Sequence, residues 1–532
     1  MNSADIIARR LHAAGCRTAF GIPGGEVLTL IDALERAGIR FILTKHENSA
    51  GFMAEGTWHA TGAPGILVAT VGPGIANAFN VVANAAQDRV PLIVISGMID
   101  PAEAMRYTHQ VFDQSAVMRQ VCKASFTAPD GAIGAMIDKA LSIATSGRPG
   151  PVHIDLPIAV AAAEQIQPPV VLRGPPLPSA PAPGAALDRA RAMFAASRRP
   201  VIMAGLDALN EPGGADALRA FAEKHAIPVV TTYKAKGVLP EDHPLALGGH
   251  GLSPKSEKLI LPLFEAADLV IAAGYDPIEM RIGWQDPWDP AKAIEFAHAA
   301  NDHDMHYAAL SWVSSVAGGL AALDGAPKQV WPDGEPARIR AELAEAFAPK
   351  GDWGPDHAVA EILAAVPPEV TVTIDTGAHR ILISQMWRAA HPRGVLQSTG
   401  LCTMGCALPL AMGFKHARPA SPVIAFTGDA GLEMVLGELS TLRDLGLPVV
   451  IVVFVDQSLA LIELKQRAMG IQNAGVDFRR TDFAAVARAY GGHGVAVSGP
   501  GEAGPAVAEA LAAERFTIVA VEIPRRAYDG LI

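Results

Sequence analysis

The chain of 532 residues carries more acidic than basic side chains, with a formal net charge of −11 at neutral pH. Half of its residues are hydrophobic and 18% are charged, so it has enough apolar material for large cores, which argues against disorder. This length predicts about three domains rather than one. Because no Lys/Arg-rich run could follow a phosphate backbone, we expect a small-molecule substrate and no nucleic-acid partner.

The N-terminal segment and the longest apolar run indicate where the protein resides. The segment MNSADIIARRLHAAG places Asp5 and two arginines in a helical apolar pattern, whereas a signal peptide requires an uninterrupted apolar core. The run from Pro448 to Val455 is too short to cross a bilayer and is typical of a buried parallel strand. We therefore expect a cytoplasmic protein without a membrane span.

The chain contains four scattered cysteines, which are Cys16, Cys122, Cys402 and Cys406. The close pair Cys402 and Cys406 lacks the second pair of ligands that a zinc site requires. We interpret all four as buried free thiols.

Two stretches rich in Pro, Ala and Gly interrupt a regular alternation of strands and helices: Gln165 to Gly184 and Asp324 to Pro355. We interpret them as linkers between domains at 1–165, 186–325 and 356–532. In each block, apolar runs alternate with amphipathic helical stretches, which predicts an α/β fold of three doubly wound parallel sheets with ligands at the carboxyl ends of the strands. The predicted strands are FILT, GILVAT, PLIVISG; PVIMAG, PVVTTY, LVIAAG; and VTVTID, PVIAFTG, PVVIVVFV.

The segment from Gly428 to Ser458 carries the most specific motif in the sequence. Gly428, Ala430 and Gly431 surround Asp429 where a strand turns into a helix, so backbone N–H groups and a helix N-terminus face an anion. A carboxylate would repel phosphate at such a place unless it holds Mg²⁺, which bridges phosphate oxygens. The motif therefore predicts a site for a diphosphate with its metal.

The spacing of this motif predicts a second metal ligand. Twenty-seven residues after Asp429, Asp456 ends the next buried strand and can face the same edge of the sheet. Two carboxylates and a backbone carbonyl such as that of Ser458 suit the hard, octahedral Mg²⁺ ion. Either fragment alone is more typical of an ordinary helix start or turn, and the two together at this spacing favour the metal site.

On these motifs the sequence resembles the thiamine-diphosphate (ThDP) dependent enzymes of the acetolactate synthase and pyruvate decarboxylase group, most of all the catalytic large subunit of acetolactate synthase. The resemblance covers essentially the whole chain and implies ThDP and Mg²⁺ as cofactors. The family signature is GDG followed by an Asn pair, and this chain has Ala430 for the second Gly and Val455-Asp456 for the pair. Ala is tolerated where φ stays negative, and Asp is an oxygen ligand like Asn with one more negative charge.

A segment near the N-terminus, KHENSAGFMAEG, offers two carboxylates, Glu47 and Glu55. Thiamine needs one carboxylate in an apolar setting to hydrogen-bond its aminopyrimidine ring and so assist removal of the thiazolium proton. Position alone does not separate the two, and the resemblance implies Glu47 as the catalytic residue. We interpret the neighbouring His46 and His59 as polar packing.

Two further loops of the first block match the family. TVGPGIANAF contains the turn at Gly72 and Pro73 and a capping Asn77, where a cofactor can lie close to the backbone. In THQVFDQ the resemblance implies that Gln110 points at the reacting centre, although its spacing is equally typical of a polar loop without function. Lys123 lies in a related stretch with a less defined role.

In the third block the resemblance implies contacts with both ends of the cofactor. Thr376, Gly377 and His379 follow a strand and would donate to the diphosphate. Met404 matches the hydrophobic residue beneath the two rings, and the carbonyl of Cys402 would accept from the amino group of the cofactor. A Met beside small residues is otherwise usually core filler.

The central block indicates whether the protein is expected to bind flavin. GYDPIE, from Gly274 to Glu279, is similar to the flavin-free fermentative synthases, and the Arg that biosynthetic synthases place near Tyr275 is absent. No GxGxxG follows a strand. FAD is therefore not expected.

The resemblance implies a decarboxylating carboligase that joins two pyruvates into 2-acetolactate with loss of CO₂. The alternatives are a non-oxidative 2-oxo-acid decarboxylase, an acyltransferase similar to sulfoacetaldehyde acetyltransferase, and a non-catalytic subunit of the same fold. Leu459 and Lys465 replace the aromatic and Gln residues of both synthase groups, and Lys465 would suit a more anionic substrate.

The two halves of the expected site lie far apart in the chain, with Glu47 in the first block and Asp429 and Asp456 in the third. One cofactor must then be clamped between two domains. In the family these domains come from different subunits, so the resemblance implies a homodimer or homotetramer with its sites at the subunit interface.

Overall fold

The structure is a computed structural model that describes residues 1–165, 179–278, 280–323 and 325–532. These residues form three units, each built on a six-stranded sheet with helices around it. All the strand pairs within the sheets are parallel, as in the pair of β-strands that begin at Gly65 and Leu92. The predicted α/β fold with three parallel sheets is confirmed.

The N-terminal unit has the strand order β2-β1-β3-β4-β6-β5. Its strands are β1 (Thr18–Gly21), β2 (Arg40–Leu43), β3 (Gly65–Ala69), β4 (Leu92–Met98), β5 (Ala124–Thr127) and β6 (Val152–Pro157). Its helices are α1 (Ser3–Ala13), α2 (Leu28–Arg36), α3 (Glu47–Thr61), α4 (Pro73–Gln87), α5 (Pro101–Ala104), α6 (Gln114–Met118), α7 (Ile133–Thr145) and α8 (Ile158–Ala162).

The central unit has the strand order β12-β11-β10-β7-β8-β9. Its strands are β7 (Pro200–Ala204), β8 (Val229–Thr232), β9 (Ala246–His250), β10 (Leu269–Ala273), β11 (Ala293–Ala297) and β12 (Leu310–Val313). Its helices are α9 (Ala185–Ala196), α10 (Leu206–Asn210), α11 (Gly214–His225), α12 (Pro254–Ala266) and α13 (Val316–Ala322), and α14 (Glu335–Ala346) follows them.

The C-terminal unit has the strand order β14-β13-β15-β16-β18-β17, which repeats the topology of the N-terminal unit. Its strands are β13 (Thr371–Ile374), β14 (Val395–Gln397), β15 (Val423–Gly428), β16 (Val450–Val455), β17 (His493–Val497) and β18 (Thr517–Glu522). Its helices are α15 (Pro355–Ala365), α16 (Ala378–Met386), α17 (Ala407–Ala417), α18 (Asp429–Glu433), α19 (Glu438–Leu445), α20 (Ala460–Ala468), α21 (Phe483–Ala489) and α22 (Ala503–Leu511).

Each of the nine predicted apolar runs overlaps a strand of one of these sheets. The strands β3, β7, β10 and β16 are buried at every position, because helices cover both faces of a parallel sheet. The outermost strand β17 was not among the predictions, and most of its residues are exposed or half-buried. The predicted runs also omit the buried inner strands β6 and β18 and include the edge strand β2, so continuous apolar sequence identifies only part of each sheet.

The two predicted linkers differ in content. Of the first, residues 166–178 lie outside the described residues. The second contains the 12-residue helix α14, whose Ile339 is buried in the core of the central unit beside Trp331. The stretch therefore packs on the central unit as well as connecting it, and the domain boundaries stay predictions.

The N-terminal and C-terminal units of the chain share a core through α3 and α17. A Cβ atom added at Gly56 would lie 2.3 Å from the carbonyl oxygen of Leu410, and one added at Gly413 would lie 1.9 Å from that of Met53. Only glycine allows the two helices to approach so closely. This contact fixes the orientation of α3, which begins at Glu47.

In the described residues no helix has the length and apolar character needed to span a membrane.

Candidate active site

A pocket of about 130 Å³ lies at the carboxyl edge of the C-terminal sheet. Its walls come from the segments that follow β13, β15 and β16, which are adjacent in the sheet. This edge is where doubly wound sheets bind ligands, because the chain reverses its direction of winding there. Ten of the predicted residues line it: Thr376, Gly377, His379, Met404, Gly428, Asp429, Ala430, Gly431, Asp456 and Ser458.

Asp429 is the first residue of α18 and its carboxylate accepts three backbone N–H groups. These come from Ala430 at 2.8 Å, Gln457 at 2.8 Å and Asp456 at 3.2 Å. The bonds to residues 456 and 457 join the ends of β15 and β16. The structure thus brings Asp429 and Asp456 together at this edge of the sheet.

The carboxyl groups of Asp429 and Asp456 are both less acidic than usual. Burial, and then the charge of Asp429, raises the pKa of Asp456 to about 7, and burial also raises the pKa of Asp429. Within the described residues, no group of three or more His, Cys, Asp or Glu side chains is placed to hold a metal. A hard cation between these carboxylates would stabilise their charged forms and take its remaining ligands from backbone and ligand oxygens.

The wall of the pocket that follows β13 offers two polar side chains to a ligand. The hydroxyl of Thr376 and the Nε2 atom of His379 are buried and have no hydrogen-bond partner in the described parts of the chain. Burial, and then the charge of Arg380, lowers the pKa of His379 to about 3, so its ring is neutral; a hydrogen bond to the backbone of Asp375 acts in the other direction and engages the ring. Buried polar atoms without partners are costly unless a ligand satisfies them, so this wall suits the oxygens of a diphosphate.

The small residues of the motif differ in how strictly the structure requires glycine. A Cβ atom added at Gly431 would lie 2.2 Å from the Oδ2 atom of Asp375, so this position requires Gly. Ala430 is absent from the residues with positive φ, so its backbone suits Ala, as predicted. The helix that begins at Asp429 is only five residues long and is followed by α19.

Glu47 begins α3 and is buried, with 4% of its surface exposed. The side-chain amide of Asn77 donates to its Oε2 atom at 3.0 Å. The competing carboxylate, Glu55, accepts from Asn84 and contacts His59 inside the chain, and burial raises its pKa to about 8. Glu55 is thus engaged with interior side chains, whereas Glu47 lies beside the loop at Gly72 to Asn77.

That loop brings Gly72 and Gln110 together. Gly72 has φ of 71°, and a Cβ atom there would lie 2.5 Å from the carbonyl oxygen of Gln110. Pro73 begins α4, which carries Asn77. Gln110 itself is exposed and has φ of 59°, so it projects from the surface of a single chain.

Cys402 and Met404 lie on the loop that joins β14 to α17. Met404 lines the pocket, and Cys402 has the left-handed φ of 55° that is uncommon outside glycine. None of the four cysteines forms a disulfide bond in the described residues. Cys16 and Cys406 are buried as expected, whereas Cys122 and Cys402, which lie in connecting segments, are half-buried.

Three other residues named in the sequence analysis do not line the pocket. Lys123 donates to the carbonyls of Ser146 and Arg148, and His46 caps α3 by accepting from Asn48. Lys465 is exposed on α20 and does not line the pocket. The start of that helix instead contributes apolar side chains to the pocket, namely Leu459, Leu461 and Ile462.

The sequence did not reveal three residues that support the site. Gln114 accepts from the N–H of Gly72 at 2.9 Å, and Tyr528 lines the pocket from the C-terminal tail. Glu438 accepts from the backbone N–H groups of Lys45 and His46, at 2.9 and 3.1 Å, directly before Glu47. Because these contacts join segments that are far apart in sequence, no local motif predicts them.

Every residue that lines the pocket lies between Thr376 and Tyr528. Within one chain, Glu47 and Gln110 therefore lie outside the pocket that holds the aspartate pair. Exposed apolar side chains lie close in sequence to both halves: Leu43, Tyr107, Val111 and Phe112 in the N-terminal unit, and Met434, Ile462, Met469 and Ile471 in the C-terminal unit.

Comparison with known proteins assigns the three units to one family. The descriptions that match are "Thiamine pyrophosphate enzyme, N-terminal TPP binding domain" at residues 1–117, "central domain" at 187–323 and "C-terminal TPP binding domain" at 375–521. Thiamine pyrophosphate is another name for ThDP. The chain therefore belongs to the thiamine pyrophosphate enzyme family, whose members act on carbon–carbon bonds.

Full-length relatives narrow the class. The chain is 32% identical to acetolactate synthase isozyme 1 large subunit of Escherichia coli, covering 87% of this chain and 83% of the relative. It is 28% identical to acetolactate synthase of Bacillus subtilis, covering 98% and 93%, and 31% identical to "Probable 2-ketoarginine decarboxylase" of Pseudomonas aeruginosa, covering 92% and 88%. The protein is a ThDP-dependent enzyme of the acetolactate synthase-like type.

Proposed function

We propose that the protein is a Mg²⁺- and ThDP-dependent carboligase that removes CO₂ from a 2-oxo acid and joins the remaining acyl unit to a second carbonyl compound. With pyruvate in both roles, the product is 2-acetolactate. The observation that carries the proposal is the buried pair Asp429 and Asp456 facing Thr376 and His379, whose side chains have buried atoms without partners. This donor set fits a diphosphate and its metal.

The residues of the C-terminal unit would hold the charged end of the cofactor. Asp429, Asp456 and the carbonyl of Ser458 would bind Mg²⁺, and Thr376 would donate to the diphosphate. His379 would donate to it with the proton of its neutral ring on Nε2. The backbone around Gly428 and Gly431 would approach it closely, and Met404 would support the rings. Bound ThDP supplies the electron sink that lets the bond between a carbonyl carbon and its carboxylate break.

The residues of the N-terminal unit would control protons. Glu47 would hydrogen-bond the aminopyrimidine ring and hold the proton that is exchanged with it, while Asn77 fixes the position of the carboxylate. Gln110, on the exposed loop beside Gly72, would face the substrate. Both residues would act in a pocket that the C-terminal unit of another chain provides.

We therefore propose a homodimer, or a tetramer of two such dimers, with two sites in its interface. The support is that Glu47 does not line the pocket within one chain, and that exposed apolar side chains lie close in sequence to each half. A second copy related by a two-fold axis would cover both surfaces at once. Each chain would contribute its Glu47 surface to one site and its metal pocket to the other.

The lining of the pocket bears on the substrate. Leu459, Leu461, Ile462 and Met404 give it an apolar wall, which suits a small aliphatic 2-oxo acid such as pyruvate. Simple decarboxylation is the second candidate, because one of the full-length relatives carries the name of a 2-ketoarginine decarboxylase. The apolar wall argues against a cationic side chain in the substrate.

The test is incubation of the purified protein with ThDP, Mg²⁺ and a panel of 2-oxo acids, with products identified by mass. A carboligase yields a product that contains both carbon skeletons less CO₂, and a decarboxylase yields only the aldehyde. Aldehyde as the sole product from every acid would refute carboligation. Replacing Leu459 by Asp should favour cationic substrates if this wall selects the side chain.

A further inference from the structure

One face of α4 contacts the two other parts of the candidate site within the same chain. Asn77, Asn80, Asn84 and Asp88 follow one another at intervals of three, four and four residues, which places them along one side of the helix and its C-cap. Asn77 contacts Glu47, as described above. The other three, which we call the α4 stripe, all contact the loop of residues 398–404.

Asp88 binds the start of that loop. Its buried carboxylate accepts from the backbone N–H of Gly400 at 2.7 Å, from that of Thr399 at 3.1 Å and from the Thr399 hydroxyl at 2.9 Å. Lys234 of the central unit lies 2.8 Å from the same carboxylate and neutralises it. Buried, charge-assisted hydrogen bonds of this kind are among the stronger ones in proteins.

Asn84 and Asn80 bind the rest of the loop. The Ser398 hydroxyl donates to the Oδ1 atom of Asn84 at 2.6 Å and accepts from the backbone N–H of Thr403 at 3.0 Å. The Thr403 hydroxyl donates to the Oδ1 atom of Asn80 at 3.1 Å. Ser398 therefore closes the loop on itself while it is held by α4.

The loop needs such support because of what it carries. Cys402 has the strained φ of 55°, and Met404 projects into the pocket two residues later. A non-glycine residue in this region of φ costs about 1 kcal/mol or more and persists only where the surroundings hold it. The stripe supplies hydrogen bonds on both sides of Cys402, to residues 399 and 400 and to residue 403.

We propose that Asn80, Asn84 and Asp88 are positioning residues that hold loop 398–404 in the geometry in which it supports the rings of the cofactor. The inference rests on the proposed function, which assigns that loop to the rings. The stripe sets where the loop backbone around Cys402 and the side chain of Met404 lie, while Asp429 and Asp456 independently hold the diphosphate. Disturbing the stripe should then change the reactivity of bound ThDP more than its affinity.

The test compares two serine hydroxyls. Ser398→Ala deletes the atom that links Asn84 to Thr403, and Ser256→Ala deletes another buried hydroxyl, which donates to the carbonyl of Ser253 in α12. For each protein loaded with ThDP and Mg²⁺ we would measure exchange of the reactive thiazolium proton with D₂O by NMR. ThDP affinity by calorimetry, kcat and KM, and unfolding in urea complete the set.

We expect Ser398→Ala to slow proton exchange and kcat at least about tenfold, with the ThDP dissociation constant changed less than about threefold and KM unchanged. Ser256→Ala should match the wild-type protein in exchange and kcat despite a similar loss of stability. Equal exchange rates in Ser398→Ala and the wild type would overturn the inference. A tenfold loss in Ser256→Ala as well would also overturn it, because the effect would then follow stability alone.

A second pair keeps the test open if Ser398→Ala does not fold. Thr403 is half-buried, and Thr403→Val removes its bond to Asn80 while Thr403→Ser retains the hydroxyl. Exchange should fall in the Val variant and recover in the Ser variant, and equal rates in both would refute the role of the stripe. If the wild-type protein itself neither binds ThDP nor consumes any 2-oxo acid, the proposed function fails, whereas an active wild type with unaffected variants overturns only the positioning role.

Discussion

Two inactive variants of this protein should restore activity when their subunits are mixed. Glu47→Gln removes the carboxylate of the N-terminal unit that exchanges a proton with the cofactor, and Asp429→Ala removes the metal ligand of the C-terminal unit. The pocket is lined only by residues from Thr376 to Tyr528, so the proposed site takes its glutamate from the partner chain. A mixed dimer then contains one site with both defects and one with neither.

The expected recovery follows from counting. Random pairing of equal amounts makes half of the dimers mixed, and each mixed dimer has one intact site of its two, so the mixture should reach about one quarter of wild-type activity. A site assembled within one chain would recover none, because every chain in the mixture carries one of the two defects.

The assay is CO₂ release after co-refolding or dilution and re-association of the two variants, with subunit exchange followed by a tag on one of them. The matched control mixes Asp429→Ala with Asp456→Ala, whose defects lie on the same wall of the pocket 27 residues apart. That mixture should stay inactive, because no site in it has both aspartates. Demonstrated exchange without recovery for the Glu47→Gln mixture would refute the shared site.

Three further predictions concern single variants. Asp429→Ala should weaken ThDP binding in the presence of Mg²⁺ by more than about 100-fold in calorimetry, and the exposed Asp444→Ala on α19 should not; unchanged affinity would remove Asp429 from the metal site. Glu47→Gln should keep that affinity yet lower kcat by about 100-fold or more, and near-normal turnover would exclude Glu47 from proton transfer. Burial lowers the pKa of His298, but its hydrogen bond to Glu211 and the charges of Asp207 and Glu211 raise it overall. The protonated ring therefore stabilises the fold below about pH 6.5 and this contribution is lost as pH rises through the folded-state pKa, so His298→Gln should cost about 1 kcal/mol at low pH and less at high pH in urea unfolding. An equal cost at both ends of the range would contradict this assignment.

Much of the fold and the centre of the candidate site could be predicted from local sequence. Strand β16 is a continuous apolar run, which only a parallel strand covered on both faces explains at that length. The ends of neighbouring parallel strands meet at one edge, so the spacing of Asp429 and Asp456 was enough to bring them together. The choice of Glu47 over Glu55 required the family resemblance, because both lie on α3.

The parts that could not be predicted depend on contacts between distant segments. In the sequence Gln114 and Glu438 are ordinary polar residues. In the structure Gln114 accepts a hydrogen bond from the N–H of Gly72, and Glu438 accepts from those of Lys45 and His46. The helix α14 was read as a linker because of the Pro and Gly around it, and only the burial of Ile339 shows that it belongs to a packed core. Strand β17 has too few buried positions for an apolar run.

These long-range contacts have one property in common, which matters for a shared site. Glu438 belongs to the unit that holds the metal pocket, yet it accepts from the turn directly before Glu47 of the same chain. Likewise α4 contacts Glu47 through Asn77 and the loop of Cys402 through Asp88 and its neighbours. If each site combines two chains, Glu47 of a chain acts in one site while the pocket of that chain forms the other. In that arrangement the hydrogen bonds of α4 would connect the loop of one site with the glutamate of the other.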